Sequence, residues 1–492
     1  MSQQKEKTLS SIFSVSLSTN INSLCVFITG LIINRVIGPT LAGILNFLNL
    51  IYSYCNYAYS PFQLSLSRDY PQLIARNEEE KATDLYHNAY SLTIITASIF
   101  SMALLACSLF VRHNKFLHYG FIALSLINLG RATNFFLVVA AQVTKKFRNL
   151  SAYYILVGLA HVSIVASLTY LYGFYGAIFA LGLVEMSACV IFSINLSLTL
   201  TLKRAIAALR PILVRGLPLL VFIFVFVNLR QVDRLLITIF MDFTRLGYYG
   251  LTATMVNFAM LIPNSIWYVI YPEFMEAGAA NKDDKERIKR IAMYNTTSAA
   301  AVVILPLLLV SLGVPLVINN MLPAFHPTIS VAQILLFGLF FLSIYQMYYY
   351  VFILYEQLPR IILLTSFCLL IDVFLNYFFI KRGLGINGVA LGTFVSFCLF
   401  CLATIAEGGK IIQQKLAETV LLLVKAVAPF CYSLVIFLII RKANLLEHTS
   451  LASDVKSFLV ASIIALVLYS PVLLYLNHKS RIITRLLKSI LR

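Results

Sequence analysis

Apolar stretches of about 20 residues, separated by short polar loops, recur from residue 9 to residue 477. A stretch of that length spans the hydrocarbon core of a bilayer as a helix. Lipid tails offer no hydrogen-bond partner, so each stretch must satisfy its own backbone as an α-helix. Read this way the chain has fourteen spans, near 9-34, 41-66, 86-111, 116-142, 150-172, 176-202, 212-240, 246-275, 290-318, 328-355, 360-380, 385-406, 418-440 and 455-477. With 492 residues, 60% of them hydrophobic, almost nothing remains outside the spans from which to build a soluble catalytic domain. The expected fold class is an all-α polytopic membrane protein. The expected activity is not enzymatic, and no cofactor is called for beyond a coupling H+ or Na+.

The formal net charge is +18, but the basic residues fall in short clusters between spans. The strongest are Lys145, Lys146 and Arg148; Lys203, Arg204, Arg210 and Arg215; and Lys282, Lys285, Arg287, Lys289 and Arg290. Anionic headgroups and the positive-inside rule account for this pattern, which excludes a nucleic-acid partner and places both termini in the cytoplasm. Lys5 and Lys7 precede an apolar stretch without a cleavage signature, so it reads as a retained first span. The eight cysteines are scattered through apolar segments, against a disulfide framework. Cys398 and Cys401 form a CxxC inside a span without a second ligand pair, against a metal site.

Two short segments recur about 200 residues apart. Residues 173-180, GFYGAIFA, align with 385-392, GINGVALG. More weakly, 33-43 align with 237-247, keeping Thr40 against Thr244 and Gly43 against Gly247. Each copy would hold six spans, and an even number gives both the same orientation, a parallel repeat with a cleft between two lobes. The expected division is an N-lobe over 1-202, a basic linker and helix start over 203-216, a C-lobe over 217-416, and two further spans with a tail over 417-492. In that tail Arg481, Arg485, Lys488 and Arg492 lie opposite a row of Ile and Leu. It reads either as a basic amphipathic helix on an anionic surface or as a charged orientation signal.

Polar residues follow helical spacing in the first two spans. Ser11, Ser14, Ser18, Asn22, Cys25 and Thr29 share one face; Asn46, Asn49, Ser53, Asn56, Ser60, Gln63 and Ser67 share another. Such a stripe faces either hydrogen-bonding neighbours or water. The second is amide-rich enough to suggest a lining for a polar cavity. The fourth span adds Asn128 and Arg131. Glu185 in the sixth and Asp372 in the eleventh are the isolated acids at depth, each open to pairing with an arginine or to a proton or sodium site. Tyr345, Tyr348, Tyr349, Tyr350 and Tyr355 in the tenth span read as an interfacial aromatic belt, with sugar stacking second.

Residues 228-236, Asn-Leu-Arg-Gln-Val-Asp-Arg-Leu-Leu, place Arg230, Asp233 and Arg234 inside an apolar span, with Gln231 beside them. A charge near the bilayer centre costs roughly 2.5–3.5 kcal/mol on insertion scales, so it faces protein or a water-filled cavity. Asp233 is one turn from Arg230 and can pair with it. One carboxylate does not neutralise two guanidiniums. The excess of arginine over acid points to an anionic guest, and the fixed fork of guanidinium donors suits phosphate.

These residues resemble a known group, the polysaccharide and O-antigen flippases of the multidrug/oligosaccharidyl-lipid/polysaccharide (MOP) exporter superfamily. The resemblance rests on Arg35, Gly38 and Gly43; on Asp233 and Arg234 followed by Gly247-Tyr248-Tyr249; on Pro272 in YPEFM; and on GFYGAIFA and GINGVALG. It implies two six-helix lobes about a central cavity and alternating access. The implied cargo is a polyprenyl (undecaprenyl) pyrophosphate-linked oligosaccharide crossing the bacterial cytoplasmic (inner) membrane. Arg131, Arg230 and Arg234 match the role of pyrophosphate binding. Implied pathway partners are glycosyltransferases and a polysaccharide polymerase. Competing readings are an ion-coupled drug or metabolite exporter, a peptidoglycan lipid-precursor flippase and, further off, a membrane glycan polymerase or ligase. The last would need a sizeable external loop with catalytic side chains. Here His326 and His448 stand on short loops without acidic partners at useful spacing.

Overall fold

Gly38 and Gly173 decide how the long apolar stretches are cut into membrane crossings. The computed structural model describes residues 2-193, 199-280, 282-443 and 451-480; the 481-492 tail lies outside them, as does the side chain of Ser11. The first helix, α1 (Ser2–Ala75), runs through two expected spans and is broken at Gly38, which adopts φ 75° and ψ 173°. Pro39 follows, and its ring bars the preceding residue from the helical region, which glycine leaves for the left-handed side without penalty. Next come α2 (Glu79–Phe110), α3 (Lys115–Val143) and α4 (Phe147–Ala160). A single π turn over His161–Val165 joins α4 to α5 (Ala166–Ser193), itself broken at Gly173 with φ 58°.

The later half contains α6 (Leu202–Asn228), α7 (Val232–Phe240), α8 (Phe243–Ala259), α9 (Leu261–Ala280) and α10 (Lys285–Met321). It continues with α11 (Thr328–Ile344), α12 (Gln346–Leu354), α13 (Leu358–Lys381), α14 (Gly385–Ile411), α15 (Leu416–Lys442) and α16 (Leu451–Ser480). Eleven helical stretches among the described residues are long and apolar enough to cross a membrane. Two of them, Ser14–Ala75 and Phe147–Ser193, contain the glycine breaks and supply two crossings each. With the α6–α7 segment the number reaches the fourteen read from the sequence. The protein is an all-α, multi-pass membrane protein.

The chain divides into two compact units. One comprises Met1–Phe224 and Met241–Leu251, the other Val225–Phe240 and Thr252–Arg492. In the first, α1, α2 and α3 close around Tyr59, Phe62, Leu66, Phe136 and Leu137. In the second, α11 is buried along nearly its whole length, and Phe337, Phe340 and Phe341 meet Phe430 of α15 at ring-centroid distances of 5.9, 5.2 and 5.0 Å. Lys289 of α10 ties down the start of α15 through Glu418 at 3.0 Å, and Glu418 also accepts the Lys415 N–H at 2.9 Å.

The aligned segments occupy corresponding backbone states. Gly173 and Gly385, the first residues of the two octapeptides, both take left-handed φ, 58° and 59°. The weaker pair meets directly within the first unit: Thr40 Oγ1 and Thr244 Oγ1 are 2.9 Å apart. There α1 and α8 touch backbone to backbone. A Cβ on Gly43 would stand 1.7 Å from Phe243 O, and one on Gly247 would stand 1.9 Å from Pro39 O. Each glycine thus faces the other's helix.

Three of the five tyrosines of the tenth span correct the expectation of an interfacial belt, while Tyr349 and Tyr355 are half-buried. Tyr345, Tyr348 and Tyr350 are 4%, 0% and 7% exposed. The Tyr348 hydroxyl donates to Gln414 Oε1 at 2.7 Å, and the Tyr345 ring lies 4.9 Å from Phe400. A belt needs a lipid-facing side, and α11 and α12 are covered by protein almost all round.

Candidate functional site

The stretch 228-236 is a broken helix. α6 ends at Asn228 and α7 starts at Val232, so Arg230 and Gln231 sit in the break. The turn is held by short-range bonds, Arg230 N to Val227 O and Gln231 N to Asn228 O, both at 3.0 Å. Interrupted helices at membrane depth are tolerated where protein or a water-filled cavity meets the freed backbone, and transporter sites are built from them. Arg230 Nη2 donates to Asn257 Oδ1 of α8 at 2.9 Å. Arg234 follows in the first turn of α7, its buried Nε without a hydrogen-bond partner among the described residues. Asp233 is 4% exposed and its Oδ1 accepts the backbone N–H of Arg234 at 2.7 Å. The half-buried Gln231 completes a local group with two cationic side chains.

Arg131 has a different environment. Its Nε donates to Glu185 Oε1 at 2.8 Å and its Nη1 to Asn49 Oδ1 at 3.4 Å, while the guanidinium lies 4.7 Å over the Tyr52 ring. The other Glu185 oxygen accepts from Asn134 Nδ2 at 2.9 Å, and the same amide reaches the Glu185 carbonyl at 2.8 Å. Close packing of α3 on α5 allows this: at Gly130 a Cβ would already lie 3.3 Å from the Glu185 Cβ. The pair is mostly buried, its side chains 19% and 14% exposed. Of the two uses the sequence left open for Glu185, the geometry has it paired with an arginine.

The polar stripe of α1 and the polar residues of α3 beside it are divided between packing and unfilled capacity. Asn128 of α3 is spent on packing, donating to Ala97 O at 3.1 Å and Ser101 Oγ at 3.0 Å and accepting from the Tyr59 hydroxyl at 3.4 Å. Ser53 donates to Asn49 O at 3.0 Å and Asn46 to Ala42 O at 2.8 Å, both back along their own helix. Asn46 also packs on Gly250, where a Cβ would lie 2.2 Å from its amide. Gln63 Nε2 reaches Ala132 O at 3.4 Å. The carbonyl oxygens of Asn22, Asn56 and Gln63 are buried without a partner among the described residues. A buried polar atom left unpaired costs about 1–3 kcal/mol, so these are atoms that water or a ligand would satisfy.

A second set of unfilled polar atoms surrounds Asp372 on α13. This side chain is fully buried beside Asn376 and Ser396, and among the described residues neither carboxylate oxygen makes a well-aligned hydrogen bond. One turn on, both side-chain atoms of Asn376 are also unmatched, as is Thr393 Oγ1 on the adjoining α14. Asn376 fits there because residue 392 is glycine: a Cβ would stand 2.2 Å from its Oδ1. α7, which carries Asp233, packs on α13. Neither Asn376 nor Thr393 stands out as a site residue in the sequence; Asn376 lies one turn from Asp372, and the glycine opposite it is the signal that marks it.

The model of one protein family, described as polysaccharide biosynthesis protein, matches residues 70–322, just over half of the chain. The chain belongs to the polysaccharide biosynthesis protein family. Solved structures extend the likeness to the fold. An inward-facing multidrug resistance MATE family transporter of the MOP superfamily aligns with 82% of this chain and 98% of its own at TM-score 0.64 and 15% identity. The lipid II flippase MurJ, in an inward closed conformation, aligns with 95% of this chain and 98% of its own at TM-score 0.62 and 12% identity. An outward-facing MATE structure aligns with 82% and 95% at TM-score 0.53 and 15% identity. No curated protein sequence matches the chain significantly. The resemblance read from the residues is the one these matches support: a polysaccharide biosynthesis protein with the fold of MOP-superfamily transporters.

Proposed function

We propose that this protein is a flippase that carries a polyprenyl pyrophosphate-linked oligosaccharide across the bacterial cytoplasmic membrane by alternating access, with both termini in the cytoplasm. The observation that carries the reading is the broken helix at 229-231, which gathers the guanidiniums of Arg230 and Arg234 at one interruption, two cations around the single carboxylate of Asp233, in a chain of the polysaccharide biosynthesis family. Guanidiniums held at that level suit the diphosphate, while hydrogen-bonding amides replace water around the sugars and the polyprenyl tail stays in lipid. A cationic drug would call for carboxylates instead. The glycan would be delivered by glycosyltransferases and consumed by a polymerase.

Asp372 supports an ion-coupled cycle. An ionised carboxylate buried without a positive partner is strongly unfavourable, and the carboxylate of Asp233 adds to the repulsion, so the group takes either a proton or a cation. Asn376 and Thr393 supply neutral oxygens beside it, the donor set a hard monovalent cation prefers. Bound there, Na+ or H+ would contribute charge neutralisation of α13 in one state of the cycle.

The test is surface glycan in cells carrying Arg230→Ala or Arg234→Ala. Both variants insert into the membrane and display no glycan; Lys at either position rescues in part. Normal glycan in both Ala variants removes the cationic-site argument.

A further inference from the structure

A groove of about 420 Å³ lies between α4 and α5 of the first unit. One wall is a single face of α4 that continues through the π turn, from Asn149 past Ala152 and Leu156 to Ile164; the other is α5 over Val184 to Phe192. Its lining is apolar apart from Asn149, Tyr153 and Ser187. Tyr153 and Phe192 approach to 4.9 Å and narrow it at the Asn149 end. The rims are exposed hydrocarbon, with Leu156 54% and Ile191 55% exposed. In a membrane-spanning unit such rims face lipid tails, so a chain can enter from the side.

The polar end of the groove has a sign. Lys145 and Arg148 immediately precede Asn149 and are both exposed, and among the described residues neither pairs with a carboxylate. Lys145 is held in the left-handed region at φ 57°, which fixes the turn between α3 and α4 beside the groove mouth. An apolar slot whose polar end lies beside exposed cations is complementary to a phosphate joined to a hydrocarbon chain.

We infer that this groove is a binding site for an anionic phospholipid of the surrounding membrane, one acyl chain lying along α4 between Leu156 and Ile191 and the phosphate held by Lys145 and Arg148. The site shares no residue with the Arg230 and Arg234 group and does not depend on the proposed cargo. A cation near an anionic headgroup contributes a factor of about 5 in affinity, so the two together favour phosphatidylglycerol over chain-matched phosphatidylcholine by about 25-fold.

The experiment is native mass spectrometry of the full chain in uncharged detergent, titrated with each of these two lipids, with glycerol 3-phosphate and with undecaprenyl phosphate. The inference expects one phosphatidylglycerol bound with the stated preference and no binding of glycerol 3-phosphate. In Lys145→Gln/Arg148→Gln the preference falls to about unity. In Ala152→Trp, which fills the groove from an exposed position and leaves the core intact, binding of phosphatidylglycerol drops at least 10-fold. Equal binding of the two lipids to the wild type, unchanged binding in Ala152→Trp, or displacement of phosphatidylglycerol by equimolar undecaprenyl phosphate would each overturn it. Loss of flipping activity with intact lipid binding would instead bear on the proposed function alone.

Discussion

Arg131 and Glu185 offer a way to separate a structural pair from a cargo site. Two opposite charges about 4 Å apart interact by roughly 4 kcal/mol at an effective dielectric near 20. Removing one partner of a buried pair costs about 3–5 kcal/mol, chiefly because the other charge is left uncompensated. Residual exposures of 19% and 14% put this pair at the lower end, about 3 kcal/mol for Arg131→Met or Glu185→Gln alone. The double variant removes both charges; Met gives up the bond Arg131 donates to Asn49, and Gln still accepts from Asn134 but without the charge, a loss of about 1 kcal/mol each. Its expected destabilisation is therefore about 2 kcal/mol, a third of the roughly 6 kcal/mol that two independent sites would sum to. Unfolding of the purified variants in detergent measures the cycle. Double-variant loss equal to the sum of the singles, within about 0.5 kcal/mol, would refute the coupling. Transport then sorts the roles. If the pair is structural, the folded double variant still flips lipid; if Arg131 also takes cargo phosphate, it folds and does not flip.

The close contact of α1 with α8 gives a second expectation: Gly247→Val forces Pro39 O away from a position where a Cβ would stand at 1.9 Å, and the Thr40–Thr244 contact opens. A Thr40→Cys/Thr244→Cys pair cross-links in the glycine background and fails to do so once Gly247→Val is added; equal cross-linking contradicts the packing. For Asp372, replacement by Asn is expected to leave the protein folded and remove any stimulation of flipping by an imposed Na+ or H+ gradient. Retained stimulation would move the coupling site elsewhere, and the ion that stimulates the wild type identifies the cation.

Much of the architecture was legible because lipid leaves the backbone no choice: apolar length alone gives helices and their number. Gly38 before Pro39 and Gly173 within GFYGAIFA are likewise visible as breaks, since left-handed turns favour glycine. The break at 229-231 was not, because it contains neither glycine nor proline and no local preference marks it. Its charges were visible while its shape was set by packing. Tyr345 to Tyr350 were misread for a related reason: composition does not distinguish a ring facing a headgroup from one facing Phe400. Among the polar residues, spacing put Asn49 of α1 and Asn128 of α3 each on some surface of its helix, and only the fold shows one meeting Arg131 and the other Ser101. The partner of Arg131, 54 residues away, lay beyond any local pattern.

The central claim, that cationic side chains at an interrupted helix carry a lipid-linked anion across the membrane, is tested most directly with purified protein in proteoliposomes. Undecaprenyl pyrophosphate-linked oligosaccharide is incorporated, and its arrival in the opposite leaflet is followed by lectin or enzyme accessibility. Wild-type protein is expected to move it, while Arg230→Ala/Arg234→Ala, with an unchanged unfolding profile, moves it no faster than empty vesicles. Equal rates for the double variant and the wild type would contradict the account.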